Sequence, residues 1–195
     1  MPCGWREKMS YFIKSKNTKF DIEKLQLATN ELFTKMSWKQ HIVKGLCMTQ
    51  IPGDPSSADG DKLRGVFWTK PDSTGKEVQR ENKVDESRYT EFVKDFKGTY
   101  FEEVYNTLTE KFIIGRFRLL LLEPRTSLSW HRDPEPRLHI PIMTNPGAHL
   151  CIDDTLKHLP ADGSVWFTDT RHYHTVFNGG EENRIHLVAT YLGEK

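Results

Sequence analysis

His131 and Asp133 are separated by a single residue, as are Arg137 and His139; His174 lies further along, and Arg184 follows it by ten positions. In an extended segment residues i and i+2 point to the same face, so His131 and Asp133 can approach one ion from the end of one strand. Pro134 and Pro136 end regular pairing just behind them and leave the two side chains at a rim. One imidazole and one carboxylate from neighbouring positions, with a second imidazole from elsewhere, is the ligand set that holds non-haem iron(II) with coordination positions left open. An arginine beyond that set suits a dicarboxylate co-substrate, because guanidinium and carboxylate match as a two-pronged pair. The chemistry these types and spacings imply is oxidation by iron(II), O2 and 2-oxoglutarate.

Each of these residues has a plainer reading. A lone His-x-Asp is weak evidence, and its value lies in what accompanies it. His172 shares a face with His174 by alternation, so period alone does not choose between them. His174 is preferred because Arg184 follows across Asn178-Gly179-Gly180, where a hairpin would bring the Arg184 strand back alongside it. Arg184 could instead pair at the surface with Glu181 or Glu182. Arg137 and His139 fall on one face of their segment, and Leu138, Ile140 and Ile142 on the other. That places two polar groups toward a cavity, where they could bind carboxylate oxygens of co-substrate or substrate. The bland alternative is a core histidine at 139 satisfied by a backbone carbonyl.

The elements that must carry these groups can be read along the chain. At 195 residues the polypeptide suits one domain with a sizeable core. Its formal net charge of +1 offers no bulk attraction to nucleic acid or a membrane surface. Three scattered cysteines (Cys3, Cys47, Cys151) form neither a disulfide framework nor a thiolate zinc pattern. No apolar run approaches a membrane span and the first residues lack a secretory apolar stretch, so a cytoplasmic setting is expected.

Asp21 is a plausible cap for a helix whose Ile22, Leu25, Ala28, Leu32 and Met36 recur at helical spacing. Strands are expected within 41–51 and 64–69. The polar stretches Ser56–Lys62 and Lys70–Ser87 read as loops, or as a mobile cover for an active site. Tyr89, Phe92, Val93 and Phe96 have helical spacing, as do Phe101, Val104, Tyr105 and Leu108. From Arg116 onward short strands alternate with turn residues: 116–123, 127–131, 137–144, 149–152, 164–168, 174–177 and 184–192. The fold class expected is mainly β with flanking α-helices, a jelly roll with a helical N-terminal part.

These residues resemble a known family. Trp130-His131-Arg132-Asp133, then Arg137-Leu138-His139-Ile140-Pro141-Ile142 and Thr144-Asn145, are similar to the aspartyl/asparaginyl β-hydroxylases, and most to the bacterial branch containing the L-proline hydroxylases. Gly163-Ser164-Val165-Trp166-Phe167-Thr168-Asp169, His174-Thr175-Val176-Phe177-Asn178 and Arg184-Ile185-His186-Leu187-Val188 continue the likeness, which covers roughly residues 115–192. The resemblance implies a double-stranded β-helix with His131, Asp133 and His174 as iron ligands. It also implies Arg184 on the distal carboxylate of 2-oxoglutarate, with Arg137 and His139 near its other end. Animal members lack the carboxylate ligand, whereas Asp133 is present here. Where they place a serine to assist the co-substrate arginine, this chain has Leu120, so the second partner of that carboxylate is unidentified.

The expected whole is one oxygenase domain over 1–195, with 1–112 supplying helices and edge strands and 113–192 the jelly-roll core. The expected substrate is a free amino acid or small relative, with an Asp, Asn or Pro side chain in a peptide as the alternative. Trp38, Trp68 and Arg132, with the two polar loops, are candidates for selecting it. Two further readings, a non-oxidative metal-dependent jelly-roll enzyme and a non-catalytic scaffold, are disfavoured: the first leaves Arg184 and Arg137 without a shared role, and the second does not explain an intact ligand set.

Overall fold

The structure is a computed structural model, and it describes residues 10–35, 43–59, 69–81 and 84–195. A helix α1 (Ile22–Lys35) follows the strand β1 (Phe12–Lys19). Next come β2 (Val43–Cys47), β3 (Thr49–Gln50), β4 (Thr69–Pro71), β5 (Glu77–Gln79), β6 (Glu91–Phe92) and a second helix α2 (Tyr100–Lys111). The remainder is β7 (Phe112–Leu122), β8 (Thr126–Ser127), β9 (Arg137–Met143), β10 (Ala148–Ile152), β11 (Thr155–Lys157), β12 (Ser164–Thr168), β13 (His174–Asn178) and β14 (Arg184–Glu194).

Two antiparallel sheets dominate. The larger runs β1-β12-β9-β14-β7-β2 and the smaller β11-β10-β13-β8, the arrangement of a jelly roll. Alternation along the large sheet sorts its side chains into two populations. Phe117, Leu119, Leu121, Leu138, Ile140, Ile142, Ile185 and Leu187 face the helices and join Leu25, Leu32, Phe101, Val104 and Leu108 in one buried cluster. Facing the other way, Leu122 and Trp166 meet Leu150, Ile152 and Val176 of the small sheet in a second, smaller cluster. That inward face also carries a set of buried polar groups: Arg116, Arg137, His139, Arg184, His186 and Thr190. The helix side is the hydrophobic anchor, which frees the space between the sheets for chemistry.

The helices follow their local signals. Asp21 caps α1, its Oδ1 accepting from the backbone N–H of Glu23 and Lys24 at 3.0 and 3.1 Å. Leu25 and Leu32 are buried as the periodicity predicts, Thr29 fills the place between them, and Met36 lies outside the described residues. Helix α2 buries Phe101, Val104 and Leu108.

Two expectations are corrected, and one strand is added. Residues 89–96 are not a helix. They form β6 flanked by short 3-10 turns at Glu86–Arg88 and Lys94–Phe96, because their backbone is claimed by a neighbouring strand: Thr49 pairs with Phe92, and the Val93 N–H donates to the Met48 carbonyl. Tyr89, Phe92 and Phe96 are nonetheless buried, so the aromatic spacing marks a packing face rather than a helix. The N-terminal part also supplies an edge strand that the patterning of its residues did not indicate. Strand β1 pairs with β12 and closes one edge of the large sheet, and β2 closes the other. Sequence patterning missed β1 since, of its eight residues, only Phe12 and Thr18 are buried. Finally, β13 and β14 do not form a hairpin: β13 pairs with β10 and β8, whereas β14 pairs with β7 and β9. The turn between them crosses from one sheet to the other.

The expected strand within 64–69 lies largely outside the described residues, as do Trp38 and Trp68. Of the second polar stretch, residues 69–79 form the hairpin β4–β5.

Candidate metal and co-substrate site

His131, Asp133 and His174 converge. One ligand atom from each lies within 4.8 Å of the other two. The small sheet builds this meeting: beyond β8 the chain makes one further bridge, in which the His131 N–H donates to the His174 carbonyl at 3.0 Å and the reverse bond measures 2.7 Å. The Asp133 N–H donates to the Thr170 carbonyl at 2.9 Å, which pins the backbone of the third candidate ligand.

Both rings are oriented by local bonds. Nδ1 of His131 lies 2.6 Å from the Ser129 carbonyl, and Nδ1 of His174 lies 3.0 Å from that of His172. A carbonyl only accepts, so each Nδ1 carries the proton and each Nε2 is left with its lone pair for a metal. Nε2 of His174 stands 3.8 Å from Oδ2 of Asp133. Burial lowers the pKa of His174 and favours the neutral ring that coordination needs. The donor set, its tautomers and its open side fit a divalent iron of the facial type. His172, which alternation could not separate from His174, turns instead to Asp153, with its Nδ1 3.1 Å from the carboxylate.

Arg137 faces inward as expected, but its donors are engaged within the chain. Nε donates to Asp133 Oδ2 at 3.0 Å, and Nη1 lies 2.9 Å from both Glu86 Oε2 and Thr190 Oγ1. Its placement is that of a group that aims the Asp133 carboxylate.

Glu86 is the residue the sequence reading overlooked. It lies in the 3-10 turn before β6, between Arg137, Arg116 and Arg118, with the last two at 3.4 Å. The turn can lie this close because Gly115 has no side chain; a Cβ there would collide with the Glu86 carbonyl. Burial pushes the Glu86 carboxyl up, yet the guanidiniums of Arg118, Arg137 and Arg116 outweigh it and hold it at about 2. No local motif betrays this role; the arginines at 116 and 118, two inward positions in an otherwise apolar strand, were the available hint.

Arg184 presents the opposite environment. It is buried, and its only polar contact among the described residues is with a ring nitrogen: Nη2 lies 2.9 Å from Nδ1 of His186. The Glu181 proposed as its surface partner binds Arg125 instead, at 2.9 Å. With no carboxylate beside Arg184 among the described residues, burial alone lowers its pKa to about 9. Two asparagines hold the turn that presents it. Asn178 donates to the Leu122 and Glu182 carbonyls at 3.1 and 2.7 Å, and Asn145 donates to Asn178 Oδ1 at 2.9 Å. His139 lies between the two ends, in register with Val188, and its Nδ1 is 3.4 Å from that of His186. Burial drives its pKa well below that of an ordinary histidine, followed by the nearby Arg184 charge.

The candidate selector Arg132 is tied to the hairpin β4–β5. Its Nε donates to Glu77 at 3.1 Å, Glu77 also accepts from Tyr173, and the guanidinium lies over the Tyr173 ring. The hairpin is thereby fastened to residues that adjoin all three candidate metal ligands.

The family model for aspartyl/asparaginyl beta-hydroxylase matches residues 83–192, more than half of the chain. Among solved structures, an oxidoreductase of the 2OG-Fe(II) oxygenase family from Burkholderia pseudomallei is similar at a TM-score of 0.53 and 12% identity, over 92% of this chain and 83% of that one. IDO from Bacillus thuringiensis is similar at a TM-score of 0.50 and 9% identity, over 94% of this chain and 91% of that one. At such identities the structural likeness speaks to the fold. No curated protein sequence matches.

Proposed function

We propose that this chain, which belongs to the aspartyl/asparaginyl beta-hydroxylase family and is an oxygenase using iron(II), 2-oxoglutarate and O2, hydroxylates an unactivated C–H bond of a small amino acid or amino-acid-like molecule. The observation that carries the site assignment is the convergence of His131, Asp133 and His174 with both Nε2 atoms turned inward. Iron held there, with its co-substrates, supplies the oxidising power: 2-oxoglutarate, O2 and R–H become succinate, CO2 and R–OH.

The chain's own residues do the rest. Arg137 aims the Asp133 carboxylate. Arg184 receives the far carboxylate of 2-oxoglutarate, and His139 borders the path between that end and the metal. The apolar cluster around Leu150, Ile152 and Val176 keeps the inter-sheet space dry. The reading takes residues 1–195 as one oxygenase domain, supported by a core cluster that runs from Leu25 to Ala189.

The substrate class is supported by charge. Arg116, Arg118 and Arg137 surround the buried Glu86 carboxylate, Asp133 and Glu135 also lie beside Arg137, and the Nε of Arg118 has no partner among the described residues. Burial works against the charge on Arg118, and a divalent ion on Asp133 would add positive charge nearby. A substrate that brings its own carboxylate would offer the Arg118 Nε an acceptor. Trp130, half exposed next to His131, favours the second reading, a peptide carrying the target side chain.

Mass spectrometry of reactions with reduced iron and 2-oxoglutarate tests both. A gain of one oxygen on a free amino acid but not on its amide supports the first reading, and oxidation confined to capped peptides supports the second. No succinate with either class overturns the assignment. Among the described residues no helix is long and apolar enough to cross a membrane.

A further inference from the structure

The hairpin β4–β5 is a two-stranded sheet of its own and pairs with neither main sheet. A hairpin of this kind is marginally stable alone, so what fastens it matters. Its turn is held internally, with Asp72 Oδ1 accepting from the backbone N–H groups of Thr74 and Lys76 at 2.8 and 3.0 Å. Its tie to the rest of the chain is the Glu77 carboxylate, which accepts from Arg132 Nε at 3.1 Å and from the Tyr173 hydroxyl. The Arg132 guanidinium also lies over the Tyr173 ring, 5.7 Å from its centroid.

A half-exposed pair such as Glu77 and Arg132 is ordinarily worth little. What sets this one apart is the position of its partners. Arg132 stands between His131 and Asp133, and Tyr173 directly precedes His174. Every candidate ligand therefore adjoins a residue that Glu77 grips. The two ligand-bearing segments meet through backbone bonds, the His131–His174 bridge and the Asp133 N–H on the Thr170 carbonyl. Glu77 adds a side-chain tie across the same two segments, and it does so without belonging to the converging ligand atoms.

We propose that the β4–β5 hairpin is a clamp on the metal site and that Glu77 is a positioning residue: by holding Arg132 and Tyr173 together it presets the spacing of His131, Asp133 and His174. This rests on the metal-site reading above. A metal ion joins the same two segments from the ligand side. Coupling between two sites is reciprocal, so the docked hairpin tightens the ion by the factor by which the ion tightens the hairpin.

The test is manganese(II) binding without O2, measured by calorimetry, together with backbone hydrogen exchange across residues 69–79 with and without the ion. Glu77→Ala should weaken manganese roughly three- to tenfold, less than losing a direct partner of a ligand, because the effect passes through a peptide. Tyr173→Phe keeps the ring beneath Arg132 but removes the hydroxyl, and should cost roughly two- to fivefold. The double variant should match Glu77→Ala, since both changes break one contact. Glu77→Gln retains a carbonyl acceptor and should bind more tightly than the alanine variant, which guards against a folding defect. Lys70→Ala, at an exposed position of the same hairpin, should leave the affinity unaltered. In the unaltered protein manganese should slow exchange in the hairpin by roughly the same three- to tenfold, and in Glu77→Ala it should not.

An affinity of Glu77→Ala within about twofold of the unaltered protein overturns the clamp and leaves Glu77 in an ordinary surface pair. Hairpin exchange that manganese does not slow, or slows no more than in the rest of the molecule, overturns it as well. His174→Ala separates the clamp from the reading beneath it. If that variant loses manganese while the hairpin variants keep it, only the clamp fails. If it binds manganese as the unaltered protein does, the metal site itself is misplaced.

Discussion

Arg137 and Arg184 lie on neighbouring strands of one sheet, face the same cavity and are both buried, yet they live in opposite chemical worlds. Arg137 is surrounded by acceptors: Asp133 and Glu86 at 3.0 and 2.9 Å, the Thr190 hydroxyl at 2.9 Å and Glu135 at 3.7 Å. Among the described residues, Arg184 has a single imidazole nitrogen. A buried charge is costly unless paired, so the first arrangement is compensated within the fold, whereas the second leaves its charge without an anion among the described residues. On the proposed reading the Arg137 guanidinium aims the Asp133 carboxylate and the Arg184 guanidinium receives the co-substrate. The sequence, in which both are simply an arginine one residue before an apolar position, assigns them to the same co-substrate.

The comparison can be broken most sharply at the group Arg137 holds. Asp133→Ala should lower coupled turnover roughly 10³-fold or more, equivalent to about 4 kcal/mol of transition-state stabilisation. The melting temperature should fall by no more than about 2–4 °C, because a rim side chain carries little packing. Retained turnover in an iron titration would remove Asp133 from the ligand set.

At the receptor end, Arg184→Met should weaken 2-oxoglutarate binding roughly 30- to 1000-fold, the range for truncating one partner of a buried charge pair. Metal affinity should stay unchanged, and a calorimetric constant matching the unaltered protein would move the anchor elsewhere.

Glu86→Gln attacks the saturated end from behind, leaving three guanidiniums around a neutral amide. The expected cost is about 3 kcal/mol or more by urea unfolding. Acidification should show the same group. Its folded pKa, about 2, is depressed below the ordinary 4.5. Its stabilisation is therefore complete above pH 4.5 and is lost as pH falls toward 2. An acid unfolding limb identical in the glutamine variant would contradict this.

Arg137→Lys should weaken metal binding roughly 10- to 100-fold, as loss of a group orienting a ligand does, while 2-oxoglutarate affinity remains within about twofold. The reverse pattern would restore Arg137 to the co-substrate, as its alternation with His139 suggests.

The smallest effect concerns the hairpin. Glu77→Ala should cost less than about 1 kcal/mol, since the Arg132 and Glu77 side chains are partly exposed. Its signature is a raised substrate KM with little change in stability, and an unaltered KM would leave the hairpin without a part in substrate access.

Much was already legible in the chain. The jelly roll announces itself through short strands punctuated by proline and glycine, and the helix after Asp21 through its cap and its Leu25–Leu32 stripe. The triad could be read because i, i+2 spacing on an extended segment is a local geometric fact that survives into the fold. Where local spacing misled, a distant partner had decided the backbone. At Tyr89–Phe96 a strand from residue 49 claims the hydrogen bonds a helix would have used. At Asn178–Gly180 two sheets draw the flanking strands apart and undo the expected hairpin.

Composition and spacing alone thus determined which residue types could meet a metal and which faces would be apolar, because alternation acts over two or four positions. Only the tertiary structure decided which charges are satisfied. Glu86 lies 51 positions from Arg137, and Glu77 lies 55 from Arg132. Pairing of this kind depends on distances between elements, and no pattern within one element records them.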